Sequence, residues 1–449
     1  MRIIIIGGGE IGYALAKALA PLHETFVIDN DPAVADRFGA LDVEFILGSA
    51  TSASVLRRAH VDESDFLVAA TGLDEVNIVA CSLAHSVGSP ETFCIVSDDD
   101  LLGQAEEGDA LREHFGIERI MWPEAQLAAD IERVIAAPGA IDAEVFAGGE
   151  VSLLEYRLEA ESPFAHHDVA ALNLPLGALL VGLKREETFS IPRGATRLEP
   201  GDKVVVMGKR DAMREVQQRV NPRAHEVDAQ LVTIIGGGDV GRRLAENLDR
   251  APNITLRLIE SDQARGELLA ARLKHALVLH GDGTDLALLE AEQIGQSDVL
   301  VSVIDNDERN LLASLLGRQL GVRKIITRVS KPANLRLFER VGIDVALSAR
   351  GAAVAAILHH IQGGKAHLLA VLEEGQGKVL ELVVPAGFPP RALRDLEAPS
   401  ESIVGAILRD DLAIVPRGQD VIRPGDHVLV VTTADSEDQV RDYFATQPA

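Results

Sequence analysis

The stretch "IIIIGGGEIG" (residues 3–12) recurs as "TIIGGGDVG" (residues 233–241). Each copy is a β-branched run that breaks into three glycines. Apolar residues at helical spacing follow, in the first copy Ile11, Ala14, Leu15, Ala18 and Leu19. A buried strand that turns at once into a helix needs residues without a Cβ at the turn. It also needs one where the helix packs closely on the sheet, so the pattern restricts the chain locally to strand–glycine turn–helix–strand units. Two such units in one chain of 449 residues make tandem duplication the first hypothesis.

The flanking sequence supports the duplication. With Gly7 set on Gly236, "VIDND" (27–31) falls near "LIESD" (258–262), and "LGSATS" (47–52) near "LHGDGTD" (279–285). Further on, "DFLVAATGLDEVN" (65–77) answers "DVLVSVIDNDERN" (298–310). A different segment also repeats, "IPRGATRLEPGDKVVVMG" (191–208) as "VPRGQDVIRPGDHVLVVT" (415–432). The order is A–B–A′–B′. In module A the runs "RIIIIG", "ETFVID", "VEFIL", "DFLVAAT" and "TFCIVS" are almost continuously apolar, as strands covered on both faces of a parallel sheet must be. In module B short strands are interrupted by "PRG" and "PGD" turns. The expected fold is α/β: two Rossmann-like, doubly wound parallel-sheet domains, each followed by a small α+β, largely β, domain. The expected boundaries are 1–138, 139–224, 225–362 and 363–449.

Charge narrows the partners. Against 43 Lys and Arg stand 69 Asp and Glu, a net −26. Such a surface repels phosphate backbones and anionic lipid, so nucleic acid is not an expected partner. The two cysteines, Cys81 and Cys94, are too few for a disulfide framework or a cysteine-rich metal site. "MRIIIIGGG" lacks the form of a secretory signal. Apolar runs such as "VLVSVI" fall far short of the ~20 residues that span a bilayer. A soluble, cytoplasmic protein is expected, and any membrane role would pass through a partner.

The glycines have separable roles. Gly7 and Gly236 permit the tight turn, Gly9 and Gly238 leave room for a pyrophosphate, and Gly12 and Gly241 let the helix pack closely. Unpaired amides at the helix start would face the phosphates. Asp29 lies 22 residues after Gly7, and Glu260 lies 24 after Gly236. A carboxylate there accepts hydrogen bonds from an adenosine ribose and repels a 2′-phosphate. NAD(H), or an adenine nucleotide with a free ribose, is therefore expected over NADP(H). The copies differ: the second has Asp282 beyond its third strand, Arg328 in "ITRVS", and Arg242 and Arg243 after its loop. The first has Ser49 and Cys94 at the places read as equivalent to Asp282 and Arg328. Arg242 and Arg328 are candidates to clamp phosphate, against the plainer reading of a solvated helix arginine.

A dehydrogenase is the rival reading, and a scaffold whose loops bind nothing is a third. A dehydrogenase needs an acid/base group beside the nicotinamide. His85, His114 and the pairs at 166–167 and 359–360 show neither a carboxylate motif nor metal-ligand spacing. No catalytic residue and no metal are expected, and the chain is read as a sensor, not an enzyme.

The paired loops, the "DExN" segments, "WPEAQLAADIERVIAAPGA" (122–140) and the two "PRG…PGD" modules resemble the TrkA family, the tandem RCK (KTN) regulatory subunits of Trk potassium-uptake systems. The resemblance covers essentially the whole chain. It implies pockets for NAD(H) or ATP/ADP, a homotetrameric cytoplasmic ring, and docking beneath a TrkH-like membrane pore protein, peripheral at the inner face of the cell membrane. It implies nucleotide contacts at Gly7, Gly8, Gly9, Glu10 and Ile11, with Asp29, Thr71 and Gly72. In the second copy they fall at Gly236, Gly237, Gly238, Asp239 and Val240, with Glu260, Ile304 and Arg328. Gly12 and Gly241 join the expected sites from the glycine pattern itself, and Asp282 from its place beyond the third strand. Many relatives carry arginine where Cys94 stands, which implies that copy one lacks a pyrophosphate contact. ATP-selective relatives carry arginine where Glu10 and Asp239 stand, which argues against tight triphosphate binding here.

Overall fold

The computed structural model describes residues 1–88, 90–97, 115–137, 139–186, 188–220, 230–331, 334–361, 367–409 and 412–445. The first sheet joins β1 (Arg2–Ile6), β2 (Glu24–Asp29), β3 (Glu44–Leu47), β4 (Phe66–Ala69), β5 (Glu91–Ile95) and β6 (Arg119–Met121) in the order β3-β2-β1-β4-β5-β6. All neighbours are parallel. The central strand carries four consecutive isoleucines, Ile3 to Ile6, all essentially buried. Strand order reverses between β1 and β4, the switch point at whose carboxyl ends sheets of this kind bind ligands. The sixth strand escapes sequence reading, because "RIM" is a short, part-exposed edge with no alternation to read.

A small antiparallel sheet follows, built from β7 (Asp142–Phe146), β8 (Val151–Arg157), β9 (Ala178–Arg185), β10 (Thr188–Ser190) and β11 (Lys203–Lys209) in the order β10-β9-β11-β8-β7. The helix Arg210–Val220 closes it. The pattern then repeats. β12 (Gln230–Ile235), β13 (Ile254–Glu260), β14 (Leu277–His280), β15 (Val299–Ser302), β16 (Lys324–Arg328) and β17 (Val345–Leu347) form the sheet β14-β13-β12-β15-β16-β17. The last module has β18 (His367–Leu372), β19 (Gly377–Val383), β20 (Arg391–Ala392), β21 (Ser402–Arg409), β22 (Leu412–Ile414), β23 (Val421–Ile422) and β24 (His427–Thr433). Its main sheet runs β18-β19-β24-β21-β22, and β20 pairs with β23.

The "PGD" aspartates do more than turn the chain. Asp202 is 2% exposed and accepts two 2.8 Å hydrogen bonds from the Arg185 guanidinium. Asp426 repeats this with Arg409 at 2.7 Å. Burial opposes the Asp426 charge, but the bonds from Arg409 and from the Arg423 amide hold its carboxyl below the ordinary value. The two small modules share one apolar core, in which Val151, Leu153, Val205 and Met207 meet Val379, Ala406, Leu429 and Val431.

Packing groups the chain into two compact units. One comprises Met1–Ala128, Arg328–Leu335 and Leu347–Ile361; the other comprises Ala129–Thr327, Arg336–Ala346 and Gln362–Ala449. The helix Ala349–Ile361, which follows β17 in sequence, therefore belongs to the first unit. Its Ile357 and Ile361 enter the core formed by Ile3, Ile5, Leu15 and Leu19. The helix Pro123–Ala136, which follows β6, ends in the second unit. There Lys324 Nζ donates to Val134 O at 2.7 Å, and Asn247 Nδ2 donates to Glu132 Oε2 at 2.8 Å.

Candidate functional site: two glycine-turn pockets

Gly7 and Gly236 adopt φ of +98° and +103°, the left-handed region that favours glycine. A Cβ on Gly12 would stand 1.8 Å from Gly7 O, and one on Gly241 would stand 1.9 Å from Gly236 O. The third glycine thus lets the helix start against the turn's own carbonyl, a closer contact than the helix–sheet packing expected of it. The middle glycines, given no separate role by the pattern, lie under side chains: Gly8 under Val34 and Phe38, Gly237 under Leu269. Gly9 and Gly238 are the exceptions, since a Cβ on either meets nothing within 4 Å. Each is the N-cap of its helix and has no side-chain cap. The first-turn amides therefore have no intrahelical acceptor and lie beside open space.

The carboxylates sit beneath these turns. Asp29, at the end of β2, accepts from Gly8 N at 2.6 Å and from Asp31 N at 2.8 Å. Glu260, at the end of β13, accepts from Gly237 N at 2.6 Å and from Asp262 N at 2.7 Å. Each acid pins the turn to the neighbouring strand before any ligand is involved. They differ in access: Asp29 is part-exposed, whereas Glu260 is 4% exposed and has Arg265 at 3.5 Å.

Thr71 and Ile304 lie against the first glycine of each turn, their amide nitrogens 3.0 and 3.1 Å from a Cβ placed on Gly7 and Gly236, and each is held by a fully buried asparagine. Asn77 Oδ1 accepts from Thr71 N at 2.9 Å and from Thr71 Oγ1 at 2.6 Å, while its Nδ2 reaches Ile95 O at 2.9 Å. Asn310 Oδ1 accepts from Ile304 N at 2.8 Å and Ser302 Oγ at 2.9 Å, and its Nδ2 donates to Ile304 O at 2.7 Å. Sequence reading gave these asparagines no structural role, although their recurrence in both "DExN" segments was the available signal. Gly72 is exposed beside Thr71, with open space at its Cβ position.

Glu10 and Asp239 are the first residues of their helices; Ile11 is part-buried and Val240 buried. Glu10 forms an ion pair with Arg350. Asp282 is exposed after β14. Hydrogen bonds from the Thr284 hydroxyl and amide, and from Arg309 at 2.7 Å, hold its carboxyl below the ordinary value. Arg242 pairs with Glu246 along its own helix at 3.5 Å. Arg328 ends β16, part-exposed, and β16 is separated from β12 by β15. The register corrects one equivalence. Ile6, Ala69 and Cys94 stand level in the first sheet, as Ile235, Ser302 and Thr327 do in the second. The counterpart of Arg328 is therefore Ile95, and Cys94 matches Thr327; both thiols are free and buried.

His360 Nε2 meets Glu91 Oε1 at 2.6 Å and packs edge-on against Phe93. His167 Nδ1 lies 2.9 Å from Ala165 O. His114 and the side chain of His359 lie outside the described residues. Among the described residues no group of three or more His, Cys, Asp or Glu could hold a metal ion, and no helix is long and apolar enough to cross a membrane. A cavity of about 620 Å³ lies between the two small modules, lined on its polar side by Arg193, Arg394 and Arg417. Arg193 and Arg417 belong to the two repeated "PRG" turns, which the sequence pattern marks only as turns, because the cavity's walls come from two distant repeats.

The fold agrees with what the chain is similar to. The TrkA-N domain family matches residues 3–121 and again 232–349, and the TrkA-C domain family matches 153–221 and 379–445. The chain belongs to the TrkA family. Trk system potassium uptake protein TrkA homolog 1 of Methanosarcina mazei is 35% identical, covering 99% of this chain and all of its own length. The TrkA homolog of Archaeoglobus fulgidus is 34% identical over the same shares, and TrkA of Halomonas elongata is 30% identical over 96% of this chain and 95% of its own. Among solved structures, the GsuK RCK domain superposes with a TM-score of 0.60 at 19% identity, covering 99% of this chain and 95% of that one. The GsuK channel bound to NAD gives 0.61 at 18% identity, covering 99% and 79%. The TrkA-N modules are thus the parallel sheets with glycine turns, and the TrkA-C modules are the small antiparallel ones.

Proposed function

We propose that this chain is a nucleotide-sensing regulatory subunit that gates a TrkH-type membrane potassium pore. In this reading it works at the cytoplasmic face as a homotetrameric ring, with four modules divided as 1–138, 139–224, 225–362 and 363–449. The ligand is NAD(H), or ATP and ADP. Its pyrophosphate would lie over Gly9 or Gly238, with its ribose near Asp29 or Glu260. Thr71, Gly72, Ile304, Asp282 and Arg328 are the remaining proposed contacts.

The observation that carries the reading is the pair of uncapped helix starts at Gly9 and Gly238, where a Cβ would meet open space. That is the arrangement a phosphate needs. Kinship over nearly the full length with proteins named for potassium uptake supports the transport assignment. The site holds and reports a ligand; no group in it is assigned to hydride transfer. Only a difference in affinity between two conformations does work on a partner, so nucleotides that bind both alike would not gate.

The test is co-purification with a potassium pore protein, followed by potassium flux in vesicles with NADH, NAD, ATP or ADP at the exposed face. Nucleotide-dependent flux is the expected result. Flux indifferent to every nucleotide at saturating dose refutes the sensing role, and steady consumption of NADH with an added acceptor assigns a dehydrogenase instead.

A further inference from the structure

We propose that Arg350 is a phosphate-reading residue of the first pocket, exchanging Glu10 for ligand phosphate when nucleotide enters. This deepens the nucleotide-sensing reading and rests on it. Arg350 is carried by the helix Ala349–Ile361, which packs against the helix Glu10–Leu19 in the first unit. Its Nη1 makes an ion pair with Glu10 Oε2 and lies 3.3 Å from Ser330 O. Glu10 directly follows Gly9, so the guanidinium is held one side chain away from the amides assigned to phosphate.

The pair is poorly explained as a structural device. Its members are 49% and 39% exposed, a range in which an ion pair adds little to folding. The arginine is the second residue of its own helix, where the helix dipole disfavours a cation. Glu10 in turn suits its helix start but repels a phosphate there. Pairing the two removes the repulsion while keeping a planar five-donor group ready. A pyrophosphate offers that group more charge and more acceptor oxygens than one carboxylate does. The second copy lacks this device in sequence: the residue matching Arg350 is Glu124, second in the helix Pro123–Ala136, and the loop residue is Asp239. The two pockets should therefore weigh phosphate charge differently. The first is tuned to phosphate number, and its occupancy is passed to a helix whose next described element is β18 of the last module.

The test uses the full chain with the second pocket closed by Gly238→Asp, a position with open space around its Cβ. ADP and adenosine are titrated calorimetrically into this protein and into versions adding Arg350→Gln, Arg350→Lys or Glu10→Gln. Arg350→Gln is expected to weaken ADP roughly 10- to 100-fold, the range of a charged hydrogen bond, and adenosine less than twofold. Arg350→Lys recovers part of the ADP affinity, and Glu10→Gln tightens ADP severalfold. Hydrogen exchange in 349–361 should respond to ADP only while Arg350 is present. ADP affinity within twofold of the parent in Arg350→Gln overturns the proposal, and so does an equal loss for adenosine. If the parent binds neither ligand in the first pocket, the nucleotide reading falls and this inference with it.

Discussion

Gly9→Asp separates the pocket from the scaffold. The position has φ −66° and ψ −164°, open to any residue, and no atom lies within 4 Å of a Cβ placed there. It is also an N-cap without a side-chain acceptor, and aspartate is among the best N-caps. The substitution should gain a few tenths of a kcal/mol from capping. Loss of glycine's freedom in the unfolded chain adds about 0.4–1 kcal/mol. The unliganded protein should thus melt roughly 1–6 °C above the parent, at roughly 2–4 °C per kcal/mol for a unit of this size. The same carboxylate would occupy the amides meant for phosphate and repel the ligand. Nucleotide at 100 times its Kd stabilises the parent by about 2.7 kcal/mol; weakened 100-fold, it contributes only about 0.4. The assay is thermal unfolding of the parent, Gly9→Asp, Gly238→Asp and the double variant, each with and without NADH or ADP. A full ligand-induced shift in the double variant refutes the pocket assignment. Melting of unliganded Gly9→Asp well below the parent refutes the uncapped-helix argument. Gly12→Ala is the contrasting control, because its Cβ meets Gly7 O at 1.8 Å, so the unliganded protein itself should be destabilised.

Asn310→Ala strands the Ile304 amide and carbonyl and should cost about 2–4 kcal/mol in urea unfolding, with Asn77→Ala similar in the first copy. Arg409→Met leaves the buried Asp426 charge without its cation and should cost about 3–5 kcal/mol at pH 7. Urea midpoints within error of the parent would remove the staple argument. Burial pulls the Lys324 ammonium down to about 7 against an ordinary 10.5. The folded state favours the neutral amine, so its contribution grows as pH rises above about 7 and is lost as pH falls through it. Relative to Lys324→Met, the parent should gain roughly 1–2 kcal/mol between pH 7 and pH 9. A pH-independent difference between the two denaturation curves refutes that assignment.

Much of the fold was legible because its signals are local. Continuous apolar runs such as Ile3–Ile6 specify strands buried on both faces, and the spacing from Gly7 to Asp29 reports one strand–helix–strand unit. The "PRG" and "PGD" turns marked the small modules. What escaped was long-range or edge structure: β6, the asparagine staples, the arginine–aspartate pairs and the true level of Cys94. An asparagine in a helix reads as polar surface until the strand ends it bridges, Thr71 and Ile95, are known to converge.

By itself the sequence determined that this chain is a duplicated pair of glycine-turn and small β modules of the TrkA kind. Period, turn residues and repeat spacing are properties of neighbours along the chain. Only the tertiary structure decided that Gly9 and Gly238 face open space while Gly7, Gly8 and Gly12, and Gly236, Gly237 and Gly241, are crowded. It alone brought Arg350 to Glu10, residues 340 positions apart. The physical reason is that a helix can leave one repeat and bury its apolar face in another, and nothing in its local pattern states where that face goes.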